Sequence, residues 1–290
     1  MIPQSFQFES PGTIADAIAL LQKYGDDAKI LSGGHSLIPM MKLRFATPEY
    51  LIDINGIPGL AYIKEEMGIV KIGALSREAE VEHSDILKKH FPIFGDVTKQ
   101  IADPQVRNRG TIGGNLAHGD AANDHPAAML ALRATIVATG AGGIRSIPID
   151  EFFFGLYSTA LKQDEILTEI QIKIPPPGSG SAYHKLERKV GDYATAGVAV
   201  QLTADAKGVC TGIGIGLTNV HPTPLRAARS EQALLGKPLN PENIALAAKF
   251  AAEDCSPSAD LRGSEEYKRA MVAVLLKRMV GKAFERSISK

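Results

Sequence analysis

The chain has 290 residues, 44% of them hydrophobic, with 28 glycines, ten Phe, seven Tyr and no Trp. That apolar share excludes a disordered or fibrous chain, and the length predicts two or three domains or subdomains, because a single core seldom grows beyond roughly 250–300 residues. Thirty-two basic residues balance thirty-two acidic ones, so no basic excess points to a nucleic acid.

Thr13 is a good N-cap for a helix carrying Ile14, Ala17, Ile18 and Leu21 at helical spacing, and Gly25 ends it. Strands are predicted over 28–31 and 50–54, with a short helix over 37–43 that Pro39 starts and does not break. These make a first unit, 1–54. The second, 55–175, opens with a strand over 69–72 and a charged helical region over 76–89, followed by a helix over 92–101. A helix over 121–132 holds Pro126 in its first turns, and 134–139 with 144–149 flank Gly140–Gly143 as a hairpin. Residues 165–174 alternate Ile166, Thr168, Ile170, Ile172 and Ile174, the period of a half-buried strand. Residues 175–181, three prolines and a Gly/Ser tail, read as a linker. The third unit, 176–290, has strands over 196–203 and 209–219, then helices. The last helix, 266–286, places Tyr267, Met271, Val274 and Leu275 on an apolar stripe.

Two turns carry the chemistry. In Ser32-Gly33-Gly34-His35-Ser36, paired glycines between a strand and a helix leave N–H groups uncovered, can take positive φ, and suit an anion such as a pyrophosphate; an ordinary tight turn explains them as well. Gly110-Thr111-Ile112-Gly113-Gly114-Asn115 repeats the pattern, so the two could grip one diphosphate from both sides. Neither is a Walker loop. His118, Asp120, Asp124 and His125 have the donor types of a metal site, the basis of an alternative reading as a metal-dependent hydrolase. Asp124 alternatively caps the Pro126-containing helix or bonds an organic ligand. Gly212-x-Gly214-x-Gly216 reads as a strand permitting close packing. Cys210 and Cys255 form no Cys-x-x-Cys pair, which excludes an iron–sulfur cluster with four thiolates from this chain; both read as buried thiols of a reducing compartment. No signal-like or membrane-spanning stretch is visible, so the expectation is a cytoplasmic protein, not transmembrane.

Ser32-Gly33-Gly34-His35-Ser36 with its continuation to Arg44, and the stretch from Ile101 to Asn115, resemble the two FAD motifs of the flavoprotein (medium) subunits of the molybdenum hydroxylases, of the carbon monoxide dehydrogenase type. Ser32 stands where that family usually has Ala. Gly191-Asp192-Tyr193-Ala194-Thr195-Ala196-Gly197 and Asp260-Leu261-Arg262-Gly263 extend the likeness to the last block, so it covers essentially the whole chain. It implies an α+β protein: an FAD-binding fold of two α/β subdomains, then a C-terminal antiparallel sheet with helices. It implies that Ser32, Gly33, Gly34, His35, Ser36 and Leu37, with Thr111, Ile112, Gly113, Gly114 and Asn115, hold the FAD diphosphate and its flanking groups. Asp124 would contact the cofactor and Ile101 and Leu167 would line its pocket. Lys185 would bring a cation near the flavin, and Tyr193 an aromatic cover. It further implies a large molybdopterin subunit and a small subunit with 2Fe-2S clusters as partners, and a terminal electron acceptor. No catalytic acid–base pair and no metal are expected on this chain.

Overall fold

Three hydrophobic cores, each built on its own sheet, organise residues 1–289, the part that the computed structural model describes. The first sheet is parallel. Its elements are β1 (Gln7–Glu9), α1 (Ile14–Tyr24), β2 (Ala28–Leu31), α2 (Leu37–Lys42) and β3 (Tyr50–Asp53), in strand order β1-β3-β2. The Thr13 side chain accepts the Asp16 N–H at 3.1 Å and Gly25 ends α1 at φ +60, as the sequence predicts. Ala17, Ile18 and Leu21 of α1 pack on Ile52 of the sheet.

The second unit contains β4 (Ile63–Glu66), β5 (Ile69–Gly73), α3 (Glu78–His83), α4 (Asp85–His90), α5 (Ile93–Thr98), α6 (Pro104–Arg107), α7 (Ile112–Ala117) and α8 (Asp124–Leu132). It continues with β6 (Thr135–Gly140), β7 (Gly143–Pro148), β8 (Phe153–Gly155), β9 (Ser158–Thr159) and β10 (Ile166–Lys173). Its five-stranded sheet, β4-β5-β10-β6-β7, is antiparallel throughout. The charged region expected as one helix breaks at Ser84, whose hydroxyl accepts the Leu87 N–H and starts α4. A bulge between Leu167 and Glu169 interrupts the β10 alternation, so Leu167 is buried beside Ile166 and Thr168.

The third unit has β11 (Ser179–Leu186), β12 (Ala196–Ala204), β13 (Cys210–Thr218), β14 (Leu225–Arg226), α9 (Ala228–Leu234), α10 (Pro241–Asp254) and α11 (Glu265–Ile288). Its antiparallel sheet runs in chain order. Two sequence expectations change here. The Gly/Ser tail of the linker is the start of β11: a Cβ on Gly180 would run into the Ala283 carbonyl of α11, so this glycine serves close approach and not flexibility. The apolar stripe of α11 is also shifted. Val272, Leu275, Leu276, Met279, Val280 and Ala283 are buried, whereas Tyr267 and Val274 are exposed.

α8 has no solvent face, since all nine of its residues are buried. It shares the core of the five-stranded sheet and also lies against β13, where a Cβ on Gly214 or Gly216 would run into the carbonyl of Ala131 or Ala127. The alternating glycines therefore permit close packing, as predicted.

Candidate functional site

A cavity of about 610 Å³ opens where the three units meet, in the size range of cofactor sites. The first turn lies beyond the carboxyl end of β2, the place where parallel sheets bind ligands. Among the described residues, the backbone N–H groups of Gly33, Gly34, His35, Ser36 and Leu37 meet no protein acceptor. Only Gly34 of the pair has positive φ, +75. Gly33 is required for another reason: an added Cβ would lie 2.6 Å from the Arg109 carbonyl oxygen and 2.8 Å from Gly110 Cα, so the two turns touch through bare backbone.

The second turn differs from the expectation. None of Gly110, Gly113 and Gly114 has positive φ, and all of its N–H groups but that of Thr111 are already bonded within the protein. Ile112 donates to Ser76, Gly113 to Ala74, Asn115 to the Thr111 carbonyl, and Gly114 to Thr111 Oγ1 at 3.1 Å, the cap of α7. What this turn offers the cavity is side-chain chemistry. Thr111 Oγ1 lies 3.2 Å from Ser32 Oγ, and Asn115 Oδ1 is buried with no partner among the described residues. Gly114 leaves room for both hydroxyls, which would sit 2.7 and 2.8 Å from an added Cβ.

The structure brings Ser32, Gly33, Gly34, His35, Ser36, Leu37, Ile101, Thr111, Gly114, Asn115, Asp124, Lys185 and Tyr193 to one cavity wall. Ile112, Gly113 and Leu167 lie behind that wall: Ile112 is fully buried, Gly113 is pressed on Ala74, and Leu167 fills the core under β10. Tyr157, on the β8–β9 turn, also lines the cavity and packs on His118, with ring centres 4.7 Å apart and the rings tilted by 32°. Neither spacing nor composition marks it; only its φ of +56 sets it apart.

Asp124 does not cap α8. Asn123 holds the cap position, and Asp124, the first helical residue, turns its carboxylate to the C-terminal sheet. The Tyr183 hydroxyl donates to Oδ1, and Lys185 Nζ lies 2.9 Å from Oδ2 and 3.6 Å from Glu187 Oε2. Burial pushes the Asp124 carboxyl upward, and Lys185 and Tyr183 pull it back. Burial and the adjacent Asp124 keep the Tyr183 hydroxyl protonated, as a donor. Lys185, the cation that the resemblance brings near the flavin, thus has carboxylates on both sides.

The hydrolase constellation does not assemble. His118 packs on Tyr157, Asp120 accepts the Ala122 N–H, Asp124 pairs with Lys185, and His125 Nε2 lies 2.7 Å from Glu78 Oε2 in the interior. Among the described residues no three His, Cys, Asp or Glu side chains are placed to hold a metal. Among the same residues no helix is long and apolar enough to cross a membrane.

Free N–H groups at the end of a parallel strand suit a diphosphate, and an orphaned amide oxygen beside two hydroxyls suits a polyhydroxylated ligand. Comparison with known proteins agrees. The family model for the FAD binding domain in molybdopterin dehydrogenase matches residues 4–177, and that for the CO dehydrogenase flavoprotein C-terminal domain matches residues 181–283. The chain is 48% identical to the carbon monoxide dehydrogenase medium chain of Hydrogenophaga pseudoflava over 99% of both sequences. It is 46% identical to that of Afipia carboxidovorans, again over 99% of both. A solved structure of carbon monoxide dehydrogenase from Hydrogenophaga pseudoflava superposes with a TM-score of 0.97 at 49% identity, covering 99% of each chain. With both halves of its length matched and its cavity fitted for a dinucleotide, the chain belongs to the FAD-binding medium subunits of the molybdenum hydroxylases of carbon monoxide dehydrogenase type, which are oxidoreductases.

Proposed function

We propose that this chain is the electron outlet of a three-subunit molybdenum hydroxylase in the cytoplasm. A large molybdopterin subunit oxidises the substrate, and a small subunit relays electrons through 2Fe-2S clusters to this chain, which delivers them to a terminal acceptor. Bound FAD supplies the ability to accept and release electrons, and the protein supplies position, shielding and charge. The observation that carries this reading is the cavity itself, walled by all three units and floored by five N–H groups without protein acceptors. The two cysteines, buried and far apart in sequence, support a relay located on a partner.

In this reading, the N–H groups from Gly33 to Leu37 hold the diphosphate. The hydroxyls of Ser32 and Thr111 and the amide of Asn115 bond its flanking groups. Ile101 gives an apolar wall, Tyr193 an aromatic cover, and the Asp124–Lys185 pair a fixed polar group on the C-terminal side. Ile112, Gly113 and Leu167 act from behind, by fixing the wall. Functionally the chain divides into 1–54 and 55–175, which carry the two turns, and 176–290, which carries Lys185 and Tyr193. Anaerobic addition of substrate to the complete complex tests the proposal. Bleaching of the flavin absorbance is expected; an unchanged flavin spectrum in a complex whose molybdenum centre is reduced overturns it.

A further inference from the structure

Tyr193 lies in the connection between β11 and β12, outside any strand or helix, yet it is held at the cavity from several sides. Gly191, at φ +80, lies against Ala102, whose carbonyl oxygen would be 2.5 Å from any Cβ there. Asp192 Oδ1 accepts both the Tyr193 N–H and Arg262 Nη2, each at 2.8 Å. Asp192 Oδ2 accepts Arg188 Nε at 3.1 Å. The Arg262 guanidinium carbon then lies 5.7 Å from the centre of the Tyr193 ring, within cation–π range.

Arg262 is itself placed from behind. Its backbone N–H donates to Asp260 Oδ1 at 2.7 Å, and Asp260 Oδ2 accepts Lys268 Nζ at 2.8 Å. Lys268 also donates to the Ser258 carbonyl, at 2.9 Å. Lys268 is only 1% exposed, in the first turns of α11; a lysine is almost never so buried unless paired. Fixed charges therefore run from α11 through the 258–263 loop to the rim of the cavity. This accounts for Gly191-Asp192-Tyr193 and Asp260-Leu261-Arg262-Gly263 as two halves of one contact.

We infer that Arg262 is a positioning residue, which through Asp192 holds the Tyr193 ring at the cavity rim with its aromatic face available to the flavin. The inference rests on the reading of Tyr193 as the flavin's cover. A mobile loop would leave the ring only intermittently in place; the partly buried Asp192–Arg262 pair confines it.

The test is flavin fluorescence per bound FAD in the flavin-loaded full chain, since contact with a tyrosine ring quenches it. Tyr193→Ala should be bright. Arg262→Ala and Asp192→Asn should each rise towards that level, and Tyr193→Ala combined with Arg262→Ala should be no brighter than Tyr193→Ala alone. If Arg262→Ala fails to fold, Asp192→Asn decides, because it removes the ion pair and retains an acceptor for the Tyr193 N–H. Variants as dark as wild type beside a bright Tyr193→Ala overturn the role of Arg262 and leave that of Tyr193 standing, as does a double variant brighter than Tyr193→Ala. A dark Tyr193→Ala overturns the reading of Tyr193 and the inference with it.

Discussion

Replacing Gly114 with alanine probes the seam between the two turns. Gly114 has helical backbone near the start of α7, so intrinsic preference favours alanine, by at most about 1 kcal/mol. Space opposes it. The new Cβ would lie 2.7 Å from Thr111 Oγ1 and 2.8 Å from Ser32 Oγ. Ser32 can rotate away, but Thr111 cannot do so without releasing the Gly114 N–H that it caps, a loss of about 1 kcal/mol. Overpacking of the seam adds roughly 1–3 kcal/mol. The net is a destabilisation of about 1–3 kcal/mol, with the hydroxyl pair displaced from the cavity wall. Gly281, in the middle of α11, has nothing within 4 Å of a built Cβ, so there the helical gain stands alone. Urea unfolding of both variants, with FAD content read from flavin absorbance, should show Gly114→Ala less stable and poor in flavin, and Gly281→Ala more stable and replete. A Gly114→Ala protein as stable as Gly281→Ala and carrying full FAD would refute the argument.

Lys185→Met should cost about 3–5 kcal/mol in the cofactor-free chain, because it leaves the Asp124 carboxylate buried without its counter-ion. Adding Asp124→Asn should recover most of that loss in urea titrations; equal stability of the single and double variants counts against a buried pair. Arg262, aided by Arg188, holds the Asp192 carboxyl at about 2, below its ordinary 3.8. The folded chain therefore sheds this proton more readily than the unfolded one, and the stabilisation is complete above pH 3.8 and lost as pH falls through about 2. Wild type and Asp192→Asn should accordingly converge in stability as pH drops across that window, and a constant difference would contradict the pairing. Burial pushes the Cys255 thiol up to about 12 and raises that of Cys210. Neither should take an alkylating reagent at about pH 8 until urea unfolds the chain, since the thiolate is the reactive form; mass spectrometry showing label on the native protein would disprove it.

Local features were legible in the sequence where the cause is local. Thr13 and Gly25 delimit α1 because capping needs only neighbours, and the turn after β2 declares itself by paired glycines between a strand and a helix. Failures arise where one local pattern serves two physical ends. A glycine chosen for positive φ and one chosen for close approach look alike, so the second turn was expected to mirror the first although only Gly34 is left-handed. β11 was hidden because Ser179-Gly180-Ser181-Ala182 lacks the β-branched residues of a strand; its partners β12 and α11 decide its conformation. The tyrosine and lysine that bind Asp124 stand 59 and 61 residues away, a pairing that no local period encodes. Lys185 and Tyr193 were accordingly reachable only through the family resemblance.

The meeting of α8 with β13 has a kinematic consequence. Packed elements usually slide because flexible side chains between them can change rotamer, as in shear motions. At Gly214 and Gly216 no such layer exists: main chain rests on main chain, with the carbonyls of Ala127 and Ala131 seated directly on the strand. Backbone cannot hop between rotamers, so this junction behaves as a weld, and the C-terminal sheet and α8 move as one piece. Asp124 stands at the tip of that piece, which makes its side of the cavity a fixed reference.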